Sequence, residues 1–401
     1  MYIADLFVAA FLLCTGAAQQ SCSGDFTIQT QSDADSISSC GNYSGTITIN
    51  GGGIFTLNGI TSVNSLKCSN CDVTTINAPS LESISNQLYL VNLTYLGSLS
   101  MPVLTSVKEI WLQTLPQLKE LQFNTGVSTA SSVVIADTYL SSLQGLAVSD
   151  VETFNVNNNR NIGNIQVPLT SVSNALDVSF NSQSVKVSFP ELLWANNATF
   201  QYIGSMDAPK LERVNNSLGF VNNTFSSLGL NSLTSVGDLS IVYNPKLSNL
   251  SFANLEGLGG ELTIANNTNL KAITGFPNVQ TIRGALTLLG SFNQASLPSL
   301  ERVEGDVIIE TNESFNCSSF DSAKDNGDFY GNKYVCAGAD STTTALPSGA
   351  SSTAGGSKSS GGSGATATGS SGQNSGSKNH AVPGSADFGL AAVVGALLAL
   401  F

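Results

Sequence analysis

Residues Pro209 to Asn312 read PKLERVNNSLGFVNN (209–223), NSLTSVGDLSIVYN (231–244), NLEGLGGELTIANN (254–267), PNVQTIRGALTLLG (277–290) and PSLERVEGDVIIETN (298–312). Each unit opens on Pro or Asn. An apolar pair three residues apart follows, then a polar bend often holding Gly, an alternating apolar run and usually Asn. Self-similarity at a fixed period marks a solenoid. The alternating runs (Leu239 and Ile241, Leu262 and Ile264, Leu286 and Leu288, Val307 and Ile309) have period two, which is strand chemistry. A coil of about 22 residues cannot bury its own apolar face, so coils must stack to share a core.

The same unit precedes this stretch at PSLESISNQLYLVN (79–92), PVLTSVKEIWLQT (102–114) and PLTSVSNALDVSFN (168–181). The first inward strand residue then falls at Leu88, Ile110, Val133, Phe154, Leu176, Ala198, Leu218, Leu239, Leu262, Leu286 and Val307. At about 4.8 Å per stacked strand these coils predict a rod on the order of 50 Å long. A leucine-rich repeat places its apolar residues closer together. Here three residues separate Val214 from Leu218, which suits a bend between two sheets. The expected fold is therefore all-β, a parallel β-helix of about 22-residue coils with disulfide-bonded ends.

The chain of 401 residues is 41% apolar and 11% charged, with a net charge of −13. Ordinary globular chains carry about 25% charged residues, so neutral Ser, Thr, Asn and Gly make this surface polar. Basic residues are scattered singly, which argues against nucleic acid as a partner.

Residues 1–18 read as a signal peptide, with an apolar segment from Leu6 to Cys14 and small residues before Gln19. Cys14 leaves with it, and six cysteines remain: Cys22, Cys40, Cys68 and Cys71 before the regular coils, Cys317 and Cys336 after them. The open core at each end of a solenoid needs a cap. Pairing Cys317–Cys336, Cys22–Cys40 and Cys68–Cys71 is expected for an oxidising compartment, although the first four allow other pairings. Cys68-Ser-Asn-Cys71 also has a zinc or redox spacing, but the sole histidine, His380, lies far off in the tail. No cofactor or metal is expected.

Nine Asn-x-Ser/Thr sequons stand at Asn42, Asn92, Asn197, Asn215, Asn222, Asn249, Asn266, Asn312 and Asn316. Asn92, Asn222, Asn266 and Asn312 follow a strand, where a glycan would point outward. Asparagine also recurs in tight bends because its side chain satisfies backbone groups.

The solenoid domain is expected over 19–337. Residues 338–387 are a Ser/Thr/Gly stalk and spacer that cannot bury a core. Residues 388–401 are too short for an ordinary membrane span and fit the removed tail of a GPI signal. Asn374-Ser375-Gly376 followed by the spacer Ser377 to Asp387 makes Asn374 the expected attachment site, with Ser375 next.

Signal peptide, capped repeat of P-x-L-x-x-V/I…G-x-L-x-I-x-x-N units, Ser-rich stalk and GPI signal occur here together. This combination resembles the fungal GPI-anchored cell-wall organisation proteins of the sporulation-specific type, whose ectodomain is like the L domain of insulin and growth-factor receptors. The resemblance implies a right-handed β-helix at the plasma membrane or wall, needed for wall integrity and in some members for spore-wall assembly. It carries over no catalytic residue. The partners it implies are wall polysaccharide or wall proteins, with the membrane reached through the GPI lipid. A receptor-like ectodomain for a secreted ligand and a wall-polysaccharide enzyme are the alternatives.

A glycosidase needs two facing carboxylates. The densest acidic group is Glu301, Glu304, Asp306 and Glu310, with Asp321, Asp325 and Asp328 downstream. Asp306 aligns with the bend positions Asp238 and Glu261 and reads as a solvated corner. If Leu88, Leu90, Ile110 and Leu112 point inward, Tyr89 and Trp111 point outward on adjacent coils, with Val134 next. Such rings make a platform for a sugar ring or a protein partner.

Overall fold

The structure, a computed structural model, describes residues 21–340. Its backbone is all-β, about 13 turns of some 22 residues each, with two short helices. One face is a parallel sheet of 18 strands. The inward column expected from the sequence lines up rung for rung, from Leu88 beside Ile110 to Leu286 beside Val307. All eleven residues are at most 1% exposed. Ala198 lies beside Leu176 in this column, and one step along the strand the Phe200 and Phe220 rings stack with centroids 5.3 Å apart.

Two expectations change. The solenoid begins earlier than Leu88, because Ile47 and Leu66 already occupy the inward column, and Tyr334 continues it beyond Val307. Cys68 is thus an inward residue of strand Ser62–Ser69 rather than part of a cap preceding the coils. These turns lack the Pro opening of several of the quoted units. Second, Val214 and Leu218 lie on one strand, Arg213–Val221. The residues between them form a bulge, repeated in register at the same place along the sheet, and not a corner between two sheets.

The true corner follows the strand. Asn70, Asn92, Thr114, Asp137, Asn158, Phe180, Tyr202, Asn222, Tyr243 and Asn266 occupy it in successive turns, each with φ between 53° and 58°. The chain then runs into a second face of short parallel ladders, such as Gly53–Thr56 with Val73–Asn77 and Asn164–Gln166 with Lys186–Ser188. This second face is interrupted. Ser100 bridges Gln122 and Ser142 bridges Asn164, but no ladder joins 122 to 142.

Both ends of the described solenoid carry a helix. Helix α1, Gln31–Ser36, starts with a capping box between Thr30 and Asp33. The Gln31 amide both donates to Thr56 O (2.9 Å) and accepts from Thr56 N (2.8 Å), doing the work of a missing strand. Helix α2, Ser318–Asn326, buries Phe320, whose ring continues a row through Phe315 and Phe292. Disulfides join Cys22 to Cys40, Cys68 to Cys71 and Cys317 to Cys336. Closing loops with separations of 18 and 19 residues is worth about 3 kcal/mol each.

Candidate functional site

The outer face of the long sheet alternates with the buried column, and its central row reads Lys67, Tyr89, Trp111, Val134, Asn155, Asp177, Thr199, Gly219 and Ser240. Tyr89 and Trp111 lie side by side, centroids 6.4 Å apart and planes tilted by 35°. Both rings and Val134 are half-buried. Polar groups frame them: Trp111 Nε1 donates to Gln113 Oε1 (3.0 Å), and Gln87 Nε2 donates to Glu109 Oε2 (3.2 Å). Two fixed rings with hydrogen-bonding groups on either side can receive a flat, partly apolar partner.

Farther along the row the face changes character. Asp177 accepts a hydrogen bond from Ser179 (3.2 Å) through one oxygen, while the other is buried without a partner. Burial pushes its pKa up to about 6. Thr263 faces outward yet is 3% exposed, flanked in the ladder by Ser240 and Thr287.

The corner contributes three more aromatic residues. Phe180 is 48% exposed and Tyr243 38% exposed, and the Phe180 and Tyr202 rings lie 5.1 Å apart. Sequence reasoning passed over them. The available signal was substitution: each stands where other turns place Asn, directly before the interior.

Two recesses interrupt the surface. The interrupted second face leaves a cleft of about 730 Å³ among Gln122, Asn124, Ser142 and Gln144, with Glu120 as its one lining carboxylate. A groove of about 430 Å³ follows the bulges past Lys108, Asp150 and Glu152. Hydroxyls of Ser171, Thr170 and Ser149 bond the Asp150 carboxylate and hold its pKa below the usual value.

Several of the acidic residues considered for catalysis have structural partners. Asp238 accepts from Glu261 N (2.8 Å) and Asp306 from Lys333 N (3.0 Å), each pinning the next turn. Glu304 pairs with Arg302, and Asp321 accepts from the Tyr334 hydroxyl (2.7 Å). Among the described residues no group of three or more His, Cys, Asp or Glu side chains could hold a metal.

Of the sequons, Asn42, Asn92, Asn215, Asn249, Asn312 and Asn316 are exposed, and Asn197, Asn222 and Asn266 half-buried. Asn92 donates to Asn70 Oδ1 (2.6 Å) and Asn197 to Asn174 O (3.1 Å). The signal segment, the stalk, Asn374, Ser375 and the tail lie outside the described residues.

No family model matches the chain, and no solved structure does. Curated proteins do. A cell surface GPI-anchored protein of Arthroderma benhamiae is 35% identical, the match covering 84% of this chain and 88% of the relative. Cell wall mannoprotein PST1 of Saccharomyces cerevisiae is 37% identical over 79% of this chain and 73% of the relative. Sporulation-specific protein 2 of the same yeast is 36% identical over 61% of this chain and 49% of the relative. By these matches over most of its length, the chain is a member of the family of fungal GPI-anchored cell-wall proteins.

Proposed function

We propose that this chain organises the fungal wall as a non-enzymatic, glycosylated solenoid, held at the cell surface by a GPI lipid attached at Asn374. It contacts wall polysaccharide or a wall protein through the Tyr89/Trp111 face. Kinship over most of the chain with surface and wall proteins supports the location and role. The contact rests on one observation: two rings on adjacent turns, neither needed by the core, framed by amide and carboxylate groups. Fractionation of the mature protein before and after phospholipase and glucanase treatment tests the anchorage. Release by either enzyme is expected, and a membrane-held protein retaining residues 388–401 overturns it. Tyr89→Ala with Trp111→Ala is expected to leave secretion intact and to weaken binding to isolated walls. Undiminished binding by the double variant removes the platform from the proposal.

A further inference from the structure

The corner row places two sequons beside aromatic rings in a pattern that neither fold nor core requires. The ladder pairs Gln201 with Val221, Val221 with Val242 and Val242 with Ala265. The residues after these strands therefore neighbour one another in the order Tyr202, Asn222, Tyr243, Asn266. Backbone bonds from Tyr202 N to Val221 O (3.3 Å), Asn222 N to Val242 O (3.2 Å) and Tyr243 N to Ala265 O (3.0 Å) fix that order. Adjacent rungs are about 4.8 Å apart, so each sequon asparagine lies within one sugar ring's width of a tyrosine.

Three observations single out these positions. Tyr202 and Tyr243 have φ of 58°, where bulky residues are strained and Asn or Gly sits more easily. Tyr243 is exposed and Tyr202 half-exposed, so core packing does not explain keeping a ring there. The Asn222 and Asn266 side-chain amides make no hydrogen bond among the described residues, unlike Asn92 and Asn197, whose amides are engaged. Each free amide is followed two residues later by the required threonine, Thr224 or Thr268.

We infer that Asn222 and Asn266 carry N-linked glycans whose first sugars lie against Tyr202 and Tyr243, forming a sugar-on-aromatic ladder along one edge of the solenoid. In the transfer, the amide Nδ2 loses a proton and bonds to sugar C1 of a lipid-diphosphate-linked oligosaccharide. The C1–oxygen bond breaks, and the diphosphate leaves with the electron pair. The attached pyranose then covers a tyrosine with its C–H face and turns its hydroxyls to water. Tyr243 thus gains cover, Tyr202 gains it beyond what the Phe180 ring provides, and the glycan is held along the edge rather than swinging free.

The test uses the full chain secreted from a fungal host, as parent and as Tyr202→Asn/Tyr243→Asn, since Asn keeps the left-handed corner and creates no new sequon. Site-resolved mass spectrometry should find sugar on both Asn222 and Asn266. Thermal unfolding is then followed in three forms: fully glycosylated, trimmed to one sugar per site, and sugar-free. Complete removal should lower the parent's melting temperature by about 2–4 °C more than the double variant's, and the one-sugar form should keep the difference. The other glycans cancel in the comparison. Unoccupied Asn222 and Asn266, or equal shifts in both backgrounds, would overturn the inference.

Discussion

The first turns and the later turns of the solenoid close the same corner with different chemistry. In every turn the left-handed residue is followed by one that points into the interior: Cys71, Leu93, Leu115, Thr138, Asn159, Asn181, Ile203, Asn223, Asn244 and Asn267. The first is tied by a disulfide to Cys68, and the next two are leucines at 0% exposure. From Thr138 onward the corner becomes a buried amide ladder. Thr138 N donates to Asn159 Oδ1 (3.0 Å), Asn159 N to Asn181 Oδ1 (2.9 Å), Asn223 N to Asn244 Oδ1 (2.8 Å) and Asn244 N to Asn267 Oδ1 (2.9 Å). Each amide also donates backwards to a strand carbonyl, as Asn223 does to Phe200 O and Asn267 to Ile241 O.

In the early turns the backbone satisfies itself, since Leu93 N donates to Thr114 O (3.2 Å), and the corner residue is free to be apolar. In the later turns those backbone groups depend on the side chain of the next turn. A buried polar network of this kind stabilises only when every member is satisfied. The outer face divides in the same sense, with Lys67, Tyr89, Trp111 and Val134 early and Asn155, Asp177, Thr199 and Ser240 later.

The sharpest way to break the comparison is Asn244→Leu, which keeps the volume and removes the amide. The buried carbonyl of Phe220 loses its side-chain donor, Asn223 N loses its acceptor, and Val242 O keeps only its bond from Asn222 N. At ~1–3 kcal/mol for each buried group left unpaired, the loss should total at least about 2 kcal/mol in urea unfolding, or abolish secretion. A loss below 1 kcal/mol would mean the ladder is ornamental. The reverse change, Leu93→Asn, buries an amide beside a backbone that needs no partner, and a loss of about 2 kcal/mol is expected. If Leu93→Asn is silent, the two corners are interchangeable and the contrast fails.

Much of this was legible in the sequence, for reasons that differ by residue. The inward column from Leu88 to Val307 could be read because strand side chains alternate strictly, and a slip by one would expose every apolar residue. The bulge after Val214 was read as a bend between sheets, since spacing alone does not say where hydrogen bonding continues. The paired asparagines at 158–159, 222–223 and 266–267 were visible, but not their division of labour. The first takes φ near 55° and the second is buried, and asparagine suits both tasks. The corner aromatics stayed hidden because nothing local in Phe180 or Tyr243 announces a positive φ.

The later outer face makes a smaller, pH-dependent claim. Burial raises the folded-state pKa of Asp177 from 3.8 to about 6. The neutral acid is therefore the form that the fold favours. Its contribution is complete below the unfolded pKa and is lost as pH rises from about 4 through about 6, so the parent should be less stable at pH 7 than at pH 4.5 through this group. Asp177→Asn, compared on chains free of N-glycans because it creates an Asn-Val-Ser sequon at 177–179, should remove that part of the dependence and raise stability at pH 7 by about 1–2 kcal/mol. Parallel pH profiles of urea midpoints for the two proteins would show that Asp177 is not the source.

The smallest effect lies at the one gap in the ladder and tests its logic most directly. Ile203 interrupts the asparagine series between Asn181 and Asn223, and its N–H already donates to Asn223 Oδ1 (2.9 Å). On the other side, no residue of that turn offers Asn181 N the side-chain acceptor that Asn181 gives Asn159. Ile203→Asn sacrifices apolar burial but places an amide between two existing ones, where its oxygen can accept from Asn181 N. Its nitrogen can donate to Val178 O, as Asn223 does one turn on to Phe200 O. Two net hydrogen bonds at about 1 kcal/mol each offset the lost transfer energy of the isoleucine. Against about 1.5–3 kcal/mol for the buried isoleucine, the substitution should lie within about 1 kcal/mol of neutral in urea unfolding, measured on chains free of N-glycans because it creates an Asn-Gly-Ser sequon at 203–205. The chemically similar Leu93→Asn is predicted to cost about 2 kcal/mol, so the difference in size between the two reports whether a corner depends on its neighbour's amide. Equal destabilisation at both positions would show that the later corner is filled by volume, as the early one is, and that its hydrogen bonds follow from the fold without specifying it.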